Sequence, residues 1–314
     1  MRYACAHYEG RFHKENTLRA KEADYHMPIA AAIEGNEHIK QALITGQPFC
    51  AARLGSTELA IVDYMDRCQG GGKREMNPVD RWLCFQSIQY RGWRGSGIFP
   101  PSASIIRRFA ERFLGDLAQV DVMGVWYNHH EDRILSKFAP QAKLCDLRGL
   151  EPYYHEPPWS EALAGKRVVV VHPFARSIEK QFAENRARLF HDPRVLPEFE
   201  LRVIPAVQSL LEIPHGFANW FDALQFMQED LEARPFDVAI IGAGAYGLPL
   251  AVHAKRLGGV AIHMAGATQI LFGIRGRRWD THPEISRLMN DFWTRPGLDE
   301  TPQHARRVEG GCYW

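Results

Sequence analysis

A glycine-rich segment carries the clearest ligand-binding pattern in the sequence. The residues from Gly242 to Gly247 fit G-x-G-x-x-G, follow the apolar run FDVAII and open a helical pattern. Glycines let backbone amides approach a phosphate closely, and the N-terminus of a helix favours an anion. The alternative is that they serve only close packing of a strand against a helix. We assign phosphate binding to Gly242, Gly244, Ala245, Tyr246 and Gly247.

The strand after this segment bears on the kind of nucleotide. Folds that bind NAD carry Asp or Glu near the end of the next strand, where the carboxylate holds the ribose. The stretch GVAIHMAG (259–266) contains neither residue. NAD is therefore disfavoured, and another nucleotide phosphate is the better interpretation.

Basic side chains follow the same strand. Arg275, Arg277 and Arg278 lie in GATQILFGIRGRRW (266–279). Guanidinium groups bind phosphate oxygens bidentately, so these arginines join the predicted phosphate site. A solvated charged loop is the alternative.

A histidine ends the most strongly β-branched run of the chain. His172 follows VVVV and precedes Pro173. Its imidazole is a candidate phosphate ligand or general base, although a hydrogen-bonded structural histidine is the commoner case.

The first half of the chain places a cation and a carboxylate around a predicted strand-to-helix turn. The turn is Arg53-Leu-Gly-Ser-Thr-Glu58, after the apolar run PFCAA. A purely structural alternative makes Ser56 the N-cap of the following helix, with Glu58 completing a capping box.

The elements that must hold these residues alternate between strands and helices. In the second half, the runs 166–173, 199–205, 236–244 and 259–264 read as strands, with helical patterns between them. The first half repeats the alternation. This predicts an α/β fold with doubly wound, mainly parallel sheets, in two Rossmann-like halves with a cleft between them. The boundary falls in the Pro- and aromatic-rich stretch 148–166, which divides residues 1–150 from 151–314.

Composition excludes several classes of protein. The 314 residues carry a formal charge of +1, too close to neutral for bulk electrostatics to drive nucleic-acid binding. No apolar stretch is long enough to span a membrane, and the N-terminus lacks a signal-peptide pattern. The six cysteines show no zinc-ligand spacing. These features predict a cytoplasmic protein; a homodimer is left open.

At Arg53-Leu-Gly-Ser-Thr-Glu58, together with FDVAIIGAGAYGLPLAVHAKRLG, the sequence resembles glycosyltransferases of the GT-D fold. These are Rossmann-like enzymes whose first half carries an R-x-G-D-G-E type motif. From about Gln47 onward the chain is also similar to uncharacterised members of that group from bacterial polysaccharide gene clusters. Segments such as VVVHPFARSIEKQF, GATQILFGIRGRRW and the ending VEGGCYW carry that likeness.

The resemblance implies transfer of a sugar from a nucleoside diphosphate sugar to a glycan or lipid-linked glycan acceptor, in the cytoplasm or at the inner membrane face. It implies that residues 1–150 hold the catalytic and acceptor motif and residues 151–314 the nucleotide sugar. Arg53 and Glu58 match the family's arginine and glutamate, and either role of Glu58, general base or acceptor-positioning group, follows from this match.

The family also uses an Asp-x-Glu pair for a divalent metal. Ser56 stands where the first acid is expected, and one carboxylate is a poor site for Mg²⁺ or Mn²⁺. Glu58 is therefore a doubtful metal ligand. We favour neutralisation of the leaving diphosphate by arginines and a helix N-terminus.

Two other functions stay open. The glycine-rich segment alone would fit an oxidoreductase with a nucleotide cofactor of the NAD or FAD type. The missing acid at Ser56 would fit a catalytically silent protein that binds a sugar nucleotide.

Overall fold

The computed structural model describes residues 25–69, 78–210, 216–303, 305–307 and 309–314. Within these ranges, parallel strands form one sheet in the order β1-β4-β3-β2-β8-β7-β5-β6. The strands are β1 Ile29–Ala30, β2 Phe49–Arg53, β3 Val122–Val125, β4 Lys143–Asp146, β5 Arg167–His172, β6 Glu200–Pro205, β7 Val238–Ile241 and β8 Val260–His263.

Helices cover both faces of the sheet. In β5, Val169 and Val171 join one buried cluster, whereas Val168 and Val170 join another. Because successive side chains of a strand point to opposite faces, both faces are packed. The helices are α1 Ala32–Thr45, α2 Ser56–Gln69, α3 Pro78–Ser96, α4 Ala103–Leu117, α5 Glu131–Phe138, α6 Ala175–Asn185, α7 Trp220–Glu232, α8 Gly247–Arg256, α9 Thr268–Leu271 and α10 Ile285–Leu288.

The prediction of an α/β fold with a doubly wound, mainly parallel sheet is confirmed. Strands from both parts of the chain belong to one sheet, since β2 pairs with β8, with Phe49 opposite Val260 and Ala51 opposite Ile262. The two halves with a cleft between them, and the division at residue 150, stay predictions. Residues 1–24, which belong to the predicted first half, lie outside the described residues.

Helix α2 begins differently from the capping prediction. The amide of Leu59 donates to the carbonyl oxygen of Gly55 (2.8 Å), so the first turn starts from Gly55 and Ser56 is already helical. Among the described residues, no backbone amide donates to Ser56 Oγ or to the Glu58 carboxylate, the two contacts that a capping box requires. The structural alternative, with Ser56 as the N-cap and Glu58 completing a capping box, is therefore wrong.

The chain contains no helix, within the described ranges, that is both long and apolar enough to cross a membrane. Because the strands are parallel, their carboxyl ends meet at one edge of the sheet. That edge gathers most of the predicted site residues.

Candidate functional site

A cavity of about 620 Å³ lies along the carboxyl edge of the sheet, within the range of roughly 300–1,000 Å³ typical of small-molecule sites. Its wall includes residues that follow six neighbouring strands, in the spatial order β3, β2, β8, β7, β5 and β6. Strands in a sheet lie about 4.8 Å apart, so five intervals span about 24 Å. The cavity can therefore hold an elongated ligand.

Arg53 and Glu58 both line this cavity. The carboxylate of Glu58 folds back over Gly55, because a Cβ at that glycine would lie 3.0 Å from Glu58 Cδ and 3.4 Å from Arg53 Nη2. The missing side chain of Gly55 thus leaves room for the Glu58 carboxylate near the Arg53 guanidinium. Glu58 is only 9% exposed, and among the described residues no hydrogen-bond donor contacts its carboxylate.

Arg53 is partly buried, and its guanidinium makes few hydrogen bonds to the protein. It lies 4.6 Å from the centroid of the Trp126 ring and makes one long hydrogen bond, from Nη2 to the Leu54 carbonyl oxygen (3.5 Å). Its Nε has no acceptor among the described residues. Burial lowers the pKa of Arg53, and the nearby Glu58 carboxylate opposes that shift. A partly buried cation with unused N–H groups is suited to an anionic ligand.

The buried carboxylate of Glu131 shapes the loop after β3. Glu131 is fully buried, and its Oε2 accepts hydrogen bonds from the backbone amides of Trp126 (3.1 Å) and Asn128 (2.9 Å) and from the Tyr25 hydroxyl (3.0 Å). Within this loop, Tyr127 has φ +57°, a strained backbone for a residue other than glycine. Glu131 thereby holds Trp126 and Asn128 in the cavity wall.

The glycines of the predicted phosphate site have separate physical roles. A Cβ at Gly242 would lie 2.5 Å from His172 Cδ2 and 2.7 Å from the Ala265 carbonyl oxygen. One at Gly247 would lie 2.6 Å from His263 Nε2. Both positions therefore require glycine for packing, as the structural alternative held. Gly244 differs, because it has φ +54° and no atom near its missing Cβ.

The backbone of this turn borders the cavity at Gly242, Gly244 and Tyr246, whereas Ala245 and Gly247 do not line it. The amides of Tyr246 and Gly247 donate to the carbonyls of Ala243 and Gly244 within a 3₁₀ turn. The amides of Gly244 and Ala245 precede the first of these hydrogen bonds. Of these two residues Gly244 borders the cavity, so its amide is the one that can reach an anion there.

Two neutral histidines stand beneath the turn. The amide of Phe174 donates to His172 Nδ1 (3.0 Å), which places the ring proton on Nε2. His263 donates from Nδ1 to the Ile241 carbonyl oxygen (3.2 Å). Burial lowers the pKa of each ring to about 3. His172, which lines the cavity, can therefore act as a neutral hydrogen-bond donor.

The three predicted arginines separate in space. Arg278 lines the cavity, and its guanidinium lies 4.8 Å from the centroid of the Tyr313 ring. Arg275 and Arg277 lie outside the cavity wall. Arg275 instead contacts Asp280 (Nη2 to Oδ1, 3.4 Å), and Arg277 is exposed.

The last residues of the sequence form part of the wall, which the sequence did not indicate. The carbonyl oxygens of Cys312 and Trp314 accept hydrogen bonds from the amides of Arg278 (3.0 Å) and Arg277 (3.4 Å). Tyr313 and Trp314 line the cavity. These backbone contacts hold both aromatic rings at the site.

One helix N-terminus at this edge is already occupied by a carboxylate of the protein. Glu300 accepts hydrogen bonds from the amides of Arg176 (2.8 Å) and Ser177 (3.2 Å) and from the Ser177 hydroxyl. These groups form the start of α6, directly after β5. An anionic ligand is therefore left with the starts of α2 and α8.

The residues around Glu58 do not fit a divalent metal held by the protein. Within the described ranges, no three His, Cys, Asp or Glu side chains lie together as ligands. Ser56 is exposed and offers at most a hydroxyl oxygen. Mg²⁺ and Mn²⁺ favour several oxygen ligands, and usually carboxylates among them.

No protein-family model matches the sequence, and neither a curated protein nor a solved structure matches it.

Proposed function

We propose that this chain is a glycosyltransferase that moves a sugar from a nucleoside diphosphate sugar to a hydroxyl acceptor. The observation that supports this best is the partly buried, incompletely satisfied guanidinium of Arg53 near the carboxylate of Glu58, inside a cavity long enough for a nucleotide sugar. The resemblance of residues 53–58 to the GT-D motif points to the same pair.

The diphosphate of the donor would lie between Arg53 and the start of α8. Arg53 and Arg278 would neutralise the negative charge, and the amide of Gly244, which borders the cavity, would donate to a phosphate oxygen. Arg275 and Arg277 have no part in this site, because both lie outside the cavity wall.

Glu58 would accept the proton of the acceptor hydroxyl. As that oxygen forms its bond to the anomeric carbon, the bond from this carbon to the diphosphate oxygen breaks, and its electron pair leaves with the diphosphate. Arginine side chains are suited to stabilise the charge that develops there. No step of this proposal needs a metal.

The setting of the reaction is part of the same proposal. The acceptor would be a glycan or lipid-linked glycan of bacterial surface polysaccharide synthesis, and the protein would act in the cytoplasm or at the inner membrane face. This rests on the likeness of the segments quoted above.

A catalytically silent protein that binds a sugar nucleotide is the second candidate. The exposed Ser56 in place of an acid favours it, since Glu58 then lacks an acidic neighbour in the turn. An oxidoreductase that uses NAD is supported less well, because β8 ends in His263 and Met264, without the carboxylate expected to hold a ribose.

Ligand binding tests the proposal first. Thermal shift and calorimetry with UDP, GDP, CMP, their sugars and NAD, each with and without Mn²⁺, should identify one nucleoside diphosphate that binds without metal. Arg278→Met should weaken that binding about tenfold or more, since a hydrogen-bonded charge contact is lost. Arg277→Met is the matched control and should leave it unchanged. Tight binding of NAD alone would overturn the proposal.

Turnover then separates the two candidates. Glu58→Gln keeps the size of the side chain but removes the base, so transfer or slow donor hydrolysis should fall about 10²–10⁴-fold while nucleotide binding persists. A Glu58→Gln variant with normal turnover would remove Glu58 from the mechanism. Donor binding without any turnover in the unaltered protein would favour the silent protein.

A further inference from the structure

An aromatic ring lies in the cavity wall on the far side of the glycine-rich turn from Glu58. Trp314 lines the cavity, and the centroid of its ring lies 6.2 Å from that of Phe174, which comes two residues after β5. Along the edge of the sheet, β8 and β7 stand between β2 and β5. The turn at Gly244, which follows β7, therefore comes between this ring and the pair of Arg53 and Glu58.

Several hydrogen bonds fix the position of the Trp314 ring. Its Nε1 donates to the Glu300 carbonyl oxygen (3.2 Å), and its backbone amide donates to the Gly311 carbonyl oxygen (3.3 Å). Its own carbonyl oxygen accepts from the amide of Arg277 (3.4 Å). The ring is thus held in place by the protein, which lowers the entropy that a ligand loses on binding to it.

The Trp314 side chain keeps surface for a ligand. Trp314 is half-buried and borders the cavity. The rings of Phe174 and Tyr313 lie at 67° and 89° to its plane, so neither is stacked parallel on it. A partly exposed indole in a concave wall is suited to a flat ring, because offset stacking buries apolar surface of both rings.

The cations of the wall lie nearer to β2 and β8. A Cβ at Gly266, which comes shortly after β8, would lie 2.7 Å from Tyr313 Cε1, so Tyr313 packs on this end of β8. The guanidinium of Arg278 lies 4.8 Å from the centroid of the Tyr313 ring. Burial, and to a smaller extent the nearby Arg278 cation, lower the pKa of Arg53. The two arginines are therefore close enough to share one diphosphate, and the Trp314 ring lies beyond them.

We propose that Trp314 stacks against the nucleobase of the donor nucleotide. With the transferred sugar beside Glu58 and the diphosphate between Arg53 and the turn at Gly244, the nucleoside extends towards β5 and β6. Neighbouring strands lie about 4.8 Å apart, so the two intervals from β7 to β6 leave about 10 Å for ribose and base. Every base has a π-face, so this contact accepts purines and pyrimidines alike. This inference rests on the proposed function.

Calorimetry with UDP, GDP and ribose 5-diphosphate tests the proposal, because ribose 5-diphosphate lacks only the base. The unaltered protein should bind the preferred nucleoside diphosphate about tenfold more tightly than ribose 5-diphosphate, as expected for one base stacked on an aromatic side chain. Trp314→Leu should weaken binding of the nucleotide by a similar factor and leave the affinity for ribose 5-diphosphate unchanged. Trp314→Phe should retain most of the nucleotide affinity, because it keeps an aromatic ring.

Controls keep a failure to fold apart from a failure of the inference. Trp82→Leu is the matched control, since Trp82 is 49% exposed on α3 and lies outside the cavity wall, and it should alter neither affinity. If Trp314→Leu does not fold, the comparison of nucleotide with ribose 5-diphosphate on the unaltered protein and on Trp314→Phe still gives the answer.

The negative results have different meanings. Equal affinity of the unaltered protein for the nucleotide and ribose 5-diphosphate, or unchanged nucleotide affinity in Trp314→Leu, would overturn the base site and leave the transferase proposal in place. An equal loss of both ligands in Trp314→Leu would also overturn it, as would a loss confined to the nucleotide sugar, which would assign Trp314 to the transferred sugar. Absence of any nucleotide binding would overturn both proposals.

Discussion

Gly55→Ala offers a sharp test of the Arg53–Glu58 pair, because it moves Glu58 without altering its chemistry. The added Cβ would lie 3.0 Å from Glu58 Cδ and closer still to Oε2, whereas ordinary contacts begin near 3.4 Å. The carboxylate must therefore rotate away by about 1 Å or more, and a catalytic group displaced by about 1 Å can cost about 10²-fold in rate. We expect kcat for transfer or donor hydrolysis, with the nucleotide sugar that binds best, to fall about 100-fold.

Stability should hardly change in this variant. Glu58 has no hydrogen-bond donor to lose among the described residues, and Gly55 is absent from the glycines with positive φ. The melting temperature should thus stay within a few degrees. Gly115→Ala is the matched control, since its Cβ would meet nothing within 4 Å on α4, and it should keep both stability and rate. Full activity in Gly55→Ala with an unchanged melting temperature would refute the reasoning.

Three further predictions concern the supports of the site. Gly247→Ala should destabilise the fold by about 1–3 kcal/mol in urea unfolding, because its Cβ would lie 2.6 Å from Nε2 of the buried His263 ring and closer still to Cε1; an unchanged midpoint would contradict this packing role. Burial lowers the pKa of His263 to about 3, so as pH falls the unfolded chain binds a proton on this ring before the folded protein does. The stability that the neutral ring contributes is therefore fully present above about pH 6.5 and falls by about 1.4 kcal/mol per pH unit below it. The stability of His263→Gln should accordingly fall less steeply between pH 6.5 and 4, and parallel slopes would count against a neutral ring. Glu131→Gln should lower the free energy of unfolding by about 1–3 kcal/mol, because it replaces the acceptor of two backbone amides. It should also weaken nucleotide binding, because the loop that carries Trp126 loses its support. A variant with unchanged melting and unchanged calorimetric affinity would contradict this role of Glu131.

The alternation of strands and helices was predictable from the sequence. The run VVVV before His172 and the strand before Gly242 are local patterns, and parallel strands place their carboxyl ends at one edge. For this reason the sequence correctly predicted that Arg53, Glu58, His172 and Gly242 lie at one edge of the sheet. The length of each apolar run and its residue types are enough to predict a strand or a helix, because each element depends mainly on its own residues.

Other features depended on contacts between distant residues. The close spacing of Arg275, Arg277 and Arg278 in the sequence predicted one shared phosphate site. Of the three, only Arg278 lines the cavity, because the backbone turns and Arg275 contacts Asp280. Gly242 and Gly247 looked like phosphate-binding glycines, whereas their packing partners are histidines on β5 and β8.

The sequence by itself determined the class of fold and the sheet edge at which the candidate site lies, since periodicity and strand order along the chain are local properties. The tertiary structure decided which side chains share the cavity. The pairing of β2 with β8, the hydrogen bond from the Tyr25 hydroxyl to Glu131 and the contact of Tyr313 with Gln269 each join residues more than 40 positions apart. Such contacts arise from packing and hydrogen-bond satisfaction across the whole chain, which no local pattern encodes.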